Sequence, residues 1–180
     1  MGYRHSSDEI LEAAVAVALE SGLAALTFKR VGERLHISDR TVVYYFPTKL
    51  DLIHAVADAL VSDTVELLEE AFGSKRLSQG DLMSRAWPVL TTVSADRVFA
   101  LYFEIIGLAA SGHEPYDALA ASLVAGWVDW LDHRVLGSTK EIRRRRALAT
   151  VAQIDGLLLV RHVLGPASGD AAASEAGIST

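Results

Sequence analysis

The chain has 180 residues, 51% of them hydrophobic, with a formal net charge of −6 and no cysteine. That is enough apolar surface for one compact unit or two small ones sharing a core. The missing cysteines exclude disulfides, thiolate metal sites and a cysteine nucleophile. The acidic balance argues against a protein that coats nucleic acid over its whole surface. Screening confines charge to ~8–10 Å in cell-like salt, however, so a local basic patch can still act.

Pro is scarce, at 4 residues, and long stretches rich in Ala, Leu, Val and Glu favour helix. The N-terminal Met-Gly-Tyr-Arg-His-Ser-Ser-Asp-Glu holds no apolar signal core. No uninterrupted apolar run reaches the ~18 residues of a membrane span. A soluble, cytoplasmic protein without a membrane partner is the expectation.

Ser6 with Glu9 forms a capping box, and the helix that follows puts Ile10, Ala14, Val17 and Ala18 on one face until Gly22 stops it. Thr27 can cap a short second helix with Val31 and Leu35 inward and Lys29, Arg30 and Arg34 outward. His36 stands at the turn, Ser38 can cap a third helix to about Tyr45, and Pro47 breaks it. Thr48 with Asp51 caps a long fourth helix to about Phe72, whose apolar side carries Leu52, Val56, Leu60, Val61, Leu67 and Leu68. Gly73 to Gly80 is a polar loop. Residues 81–93, 96–110, 115–136 and 139–164 read as further helices, the last opened by a capping box of Ser138 and Glu141. The Ala/Gly/Ser-rich tail from Gly165 to Thr180 has one large apolar residue, Ile178, and is expected to be disordered. The chain therefore reads as all-α, with no strand and no internal repeat. Its predicted units are 1–47, 48–164 and the tail 165–180.

A short helix, a tight turn near His36 and Ile37, and a second short helix over 27–46 follow the helix-turn-helix plan. In that plan the second helix enters the major groove of DNA with its N-terminal residues at the base edges. Those residues are Ser38, Asp39, Arg40 and Thr41. Arg40 can make a bidentate contact to guanine, and Thr41 can offer a hydroxyl to phosphate or a methyl to thymine. Tyr44 and Tyr45 are adjacent, so at least one projects outward, toward sugar and phosphate. Lys49 opens the long helix, where free backbone amides already favour an anion. Between Lys29 and Lys49 the cations are Lys29, Arg30, Arg34, Arg40 and Lys49, against Glu33 and Asp39: a basic segment in an acidic chain. Taken singly, each of these side chains also fits a solvated face or a protein interface.

Residues 7–53 resemble the N-terminal domain of the TetR family of bacterial transcriptional regulators. The resemblance lies in the stretches ILEAAVAVALESGLAALTF, KRVGERLHIS and TVVYYFPTKLDLI. The last is the most specific: an aromatic, then Pro-Thr-Lys, then Leu-Asp-Leu-Ile looks like the family's junction of recognition helix and connecting helix. The resemblance implies that Lys29 reaches DNA, that Arg40 and Thr41 lie at bases or adjacent phosphates, and that Tyr44, Tyr45 and Lys49 touch the backbone. It implies a three-helix DNA-binding head joined by a long helix to a helical domain that binds a small effector and dimerises. The chain departs from the family pattern in three places. Val43 stands where tyrosine is usual, so that phosphate contact is lost or passes to Tyr44. His36 stands where glycine is usual in the turn, and Arg40 where a small residue is common.

A homodimer through 115–164 is expected, since one head covers only a half-site. Ala118, Ala121, Ala125, Leu148, Val151, Ile154, Leu158 and Val160 fit either that interface or the core of one monomer. Effector-pocket candidates are Trp87, Tyr102, Phe103, Glu104, Tyr116 and Trp127, with His113 and Trp130 weighed beside them; core packing is the alternative for most of these aromatics. Glu104 lies in the apolar run LYFEIIGL, where it can anchor a cationic or hydroxylated effector or pair with a core arginine. Pro88 is expected to kink its helix beside these aromatics. The run Arg143 to Arg146 can be a second DNA contact, or a solvated face pairing with Glu66, Glu69 or Glu70. No cofactor or metal is expected; Asp129, Asp132 and His133 come nearest to a ligand set. The favoured reading is a ligand-responsive regulator of double-stranded operator DNA. An all-α enzyme and a DNA-independent helical adaptor are the alternatives.

Overall fold

A computed structural model describes residues 6–179. The described residues form helices α1 (Ser7–Ser21), α2 (Phe28–Leu35), α3 (Asp39–Tyr45), α4 (Lys49–Phe72), α5 (Gln79–Leu90), α6 (Val93–Ala110), α7 (Tyr116–Asp132), α8 (Lys140–Leu164) and α9 (Pro166–Glu175), with a 3₁₀ turn at Leu23–Ala25. Most helix starts follow local chemistry. The side chains of Ser6, Thr27, Ser38 and Thr48 each accept the backbone N–H three residues on, and the boxes with Glu9 and Asp51 are complete. At α8 the cap falls one residue later than the Ser138–Glu141 spacing suggests. Thr139 accepts from the Ile142 N–H at 3.2 Å.

Two cores hold the molecule together. The first gathers α1, α2, α3 and the first half of α4 around Ile10, Leu26, Val31, Val42 and Leu52, and also takes in Leu101, Ile105, Leu119 and Ala120 from α6 and α7. The head thus rests on the helical domain as well as on α4. The second core joins the far half of α4 to α5–α9 around Leu82, Trp87, Val128, Val135 and Leu158. Leu67, expected on the apolar side of α4, is 54% exposed. A parallel bridge, Leu77 with Val135, ties the loop after α4 to the loop after α7.

The tail from Gly165 is a correction. Instead of being disordered, it turns back at Gly165 (φ 93°), starts α9 with Pro166, and packs on α8. Its small residues, which read as low complexity, allow the close approach. A Cβ on Gly169 would lie 2.4 Å from the Cβ of Arg161. Ala173 and Ile178 are buried. The Arg161 guanidinium, itself 8% exposed, donates to both carboxylate oxygens of Asp96 and to the Thr91 carbonyl, with Asp170 of α9 3.7 Å away. The hydrogen bonds to Asp96 foremost, with the nearby charge of Asp170, hold its pKa above the ordinary arginine value.

Helix α8 is long and apolar enough to cross a membrane by length and composition. It packs against α5, α6, α7 and α9, however, and carries the inward-facing Arg161 and Asp155.

Candidate nucleic-acid interface

Helices α2 and α3 meet through a turn that depends on one residue in a left-handed conformation. His36 has φ 56° and ψ 37°, and the Ile37 N–H reaches back to the Gly32 carbonyl at 2.9 Å. This is a Schellman-type stop with histidine where glycine is commonest. Gly32 makes the crossing possible: a Cβ there would sit 2.8 Å from the Ile37 carbonyl oxygen and 3.2 Å from the Asp39 nitrogen. Sequence reasoning passed over Gly32, although a glycine inside an eight-residue helix signals close packing.

The outward face brings the predicted DNA-binding residues together. Arg40 is exposed and makes no ion pair among the described residues. Tyr44 is 80% exposed, whereas Tyr45 is half-buried against the first core, the two rings meeting edge to face at 5.1 Å. Val43 is 38% exposed on the same helix. Lys49 is exposed at the start of α4. Other predicted contacts are partly engaged within the protein. The Ser38 and Thr41 hydroxyls lie 3.1 Å apart. The Asp39 carboxylate accepts from the Arg40 N–H at 2.8 Å. Lys29 faces Glu33 at 3.8 Å, a solvent-exposed pair of little strength. Arg34 forms a bidentate pair with Glu20 of α1 at 2.9 and 3.0 Å, which leaves Arg30, Arg40 and Lys49 as the cations of this face without an ion pair among the described residues.

The predicted effector residues scatter. Trp87 is buried and donates its indole N–H to Asp170 at 3.0 Å. Phe103 stacks near His162 with ring centres 5.9 Å apart. Tyr116 packs on the first core, and His113 is an exposed loop residue. Glu104 lines neither cavity and pairs with no arginine among the described residues: its carboxylate accepts the Leu23 N–H at 2.9 Å and so links α6 to the end of α1. Pro88 lies outward near the end of α5, beside Leu67 and Glu70. Of the residues weighed, Tyr102, Trp127 and Trp130 line cavities of the helical domain, together with Phe99 and Asp155, which sequence reasoning missed. The Tyr102 hydroxyl donates to Asp155 at 2.9 Å. Burial pushes both acids up, Tyr102 well beyond the usual phenol range and Asp155 above the usual carboxylate range, with the hydroxyl's donation opposing the shift at Asp155.

The arginine run is divided among separate partners. Arg143 approaches Asp132 at 3.9 Å, Arg144 pairs with Asp129, and Arg146 donates to the Leu136 carbonyl at 2.6 Å. Glu69, expected to serve that run, instead pairs with Arg134. Among the described residues no three His, Asp or Glu side chains gather as a metal set. Of the small and apolar positions on α7 and α8, Val151 and Leu158 are buried in the second core and Ile154 packs against it, while Ala118, Ala121, Ala125 and Leu148 are exposed. Leu159 and Val163 continue that exposed stripe at 47% and 67%.

A turn-linked pair of short helices with an unpaired arginine and an exposed tyrosine, carried on a helical bundle, defines a helix-turn-helix regulator fold. Residues 10–56 match the model of the tetR family of bacterial regulatory proteins. Over the whole chain the likeness is one of fold. A transcriptional regulator from Rhodococcus sp. Rha1 aligns with 93% of this chain and 91% of its own at 22% identity and a TM-score of 0.71. A TetR-family regulator from Rhodococcus sp. aligns over 95% and 94% at 18% identity and 0.74. The multidrug-binding protein EbrR, solved in complex with imidazole, aligns over 100% and 95% at 22% identity and 0.70. Among curated proteins none matches the chain.

Proposed function

We propose that the protein is a homodimeric, ligand-responsive repressor that reads double-stranded operator DNA with α3 and acts as a regulator rather than an enzyme, in the cytoplasm where that DNA lies. The observation that carries this is the outward face of α3 and the start of α4, where Arg40, Tyr44 and Lys49 project to solvent in an otherwise acidic chain. Arg40 is the base reader. Tyr44 takes the phosphate contact that Val43 cannot make, Lys49 holds a second phosphate, and Lys29, Ser38, Asp39, Thr41 and Tyr45 position the helix.

Dimerisation uses the exposed stripe of α7 and α8, where Ala118, Ala121, Ala125, Leu148, Leu159 and Val163 leave an apolar face without a partner. Two heads then reach successive major grooves ~34–36 Å apart, and an effector in the helical domain changes that spacing. The test is a pair of variants on a preferred duplex. Arg40→Ala is expected to cost ~1–3 kcal/mol and relax one base position, and Lys49→Ala to weaken all sequences alike. An Arg40→Ala protein with unchanged affinity and base preference overturns the proposed readout.

A further inference from the structure

Two cavities of about 40 Å³ each lie in the helical domain, on either side of Phe99 and Trp127, the side chains that line both. The first is walled by Phe72, Trp130 and Ile154, the second by Leu60, Tyr102 and Ile105. Neither reaches the ~300 Å³ that a ligand pocket needs. A single site built from both would require Trp127, half-buried on α7 and lining each, to leave its place.

Across both walls the sole charged side chain is Asp155. The Tyr102 hydroxyl is its hydrogen-bond donor, and no cation stands within 4 Å of it among the described residues. A part-buried carboxylate without a counter-charge is costly. Burial accordingly favours its neutral form. The rings around it offer the complementary feature, since an aromatic face attracts a cation. Trp130 already does so, with the Arg134 guanidinium 4.0 Å from its ring centre.

We propose that the two cavities are halves of one effector site, and that it takes a hydrophobic monocation, an apolar body bearing one protonated amine, with Asp155 as counter-charge and the Phe99 and Trp127 rings against the body. The purpose of such binding rests on the regulator reading; the binding itself does not. A neutral hydroxylated ligand would satisfy the carboxylate with one hydrogen bond but would leave its charge unmatched.

The experiment titrates the full chain, without DNA, with 4-phenylbutylamine, 4-phenylbutanol and 4-phenylbutyrate, following tryptophan fluorescence and calorimetry. The amine is expected to bind about 10-fold tighter than the alcohol, with the carboxylate weakest. Asp155→Asn is expected to bring amine and alcohol level while the circular dichroism stays that of the wild type. An alcohol or carboxylate that binds as tightly as the amine overturns the proposal, as does the absence of binding by any of the three, or an Asn variant that keeps the preference. If the Asn variant does not fold, the wild-type ratio decides alone. Because DNA is absent, failure here leaves the operator reading standing, and failure of operator binding leaves this result intact.

Discussion

Removing the Glu104 carboxylate is expected to destabilise the protein through one backbone amide. Leu23 is 2% exposed, and its N–H is taken by the Glu104 Oε2 at 2.9 Å. The local chain holds the amide in this position. Gly22 before it has φ 78°, and a Cβ there would stand 3.2 Å from the same oxygen. Glu104→Ala leaves a buried donor without a partner and removes a charge-assisted bond, at a cost of about 1.5–3 kcal/mol. Glu104→Gln keeps an acceptor at that place and is expected to cost about 1 kcal/mol or less. Urea unfolding at fixed protein concentration measures both, as a fall in midpoint with an unchanged m-value. Because the bond joins α6 to the end of α1, the alanine variant is also expected to weaken DNA binding. An alanine variant within ~0.5 kcal/mol of wild type, or a glutamine variant as unstable as the alanine one, refutes this role.

Three further outcomes follow from the packing. His36→Gly removes a left-handed cost of about 1–2 kcal/mol at φ 56° and adds about 0.5–1 kcal/mol of chain entropy, so a net gain of about 0.5 kcal/mol is expected in thermal unfolding; a loss contradicts it. Gly169→Ala places a Cβ 2.4 Å from that of Arg161, so a loss of about 1–3 kcal/mol and faster proteolysis after Gly165 are expected; wild-type stability and resistance contradict the seating of α9. Leu159→Glu, on the exposed stripe of α8, is expected to give a monomer in light scattering where the wild type is a dimer, and a dimeric variant contradicts the assigned interface.

The elements were legible where their signals are local. The caps at Ser6, Thr27, Ser38 and Thr48 each act within three residues, and all four are in place. The helix-turn-helix was legible for the same reason, apart from Gly32, whose role shows only when α3 crosses it. What depends on distant partners was not legible. Glu104 and Asp155 look alike in the sequence, each a lone carboxylate in an apolar run. One caps an amide 81 residues away and the other borders a cavity. The tail gave a wrong expectation because its composition resembles disorder. Its small residues serve instead to bring α9 against Arg161, where Asp170 meets both that guanidinium and the Trp87 indole.

Binding to DNA tests the central claim most directly. A labelled duplex from the DNA flanking the protein's own gene, compared by anisotropy with a scrambled duplex across a salt series, is expected to bind at least about 10³-fold tighter near physiological salt. Its affinity is expected to fall linearly with salt on logarithmic axes, by about 0.9 for each phosphate neutralised. If no duplex is preferred over the scrambled one at about 0.15 M salt, the protein is not the operator-reading regulator described above.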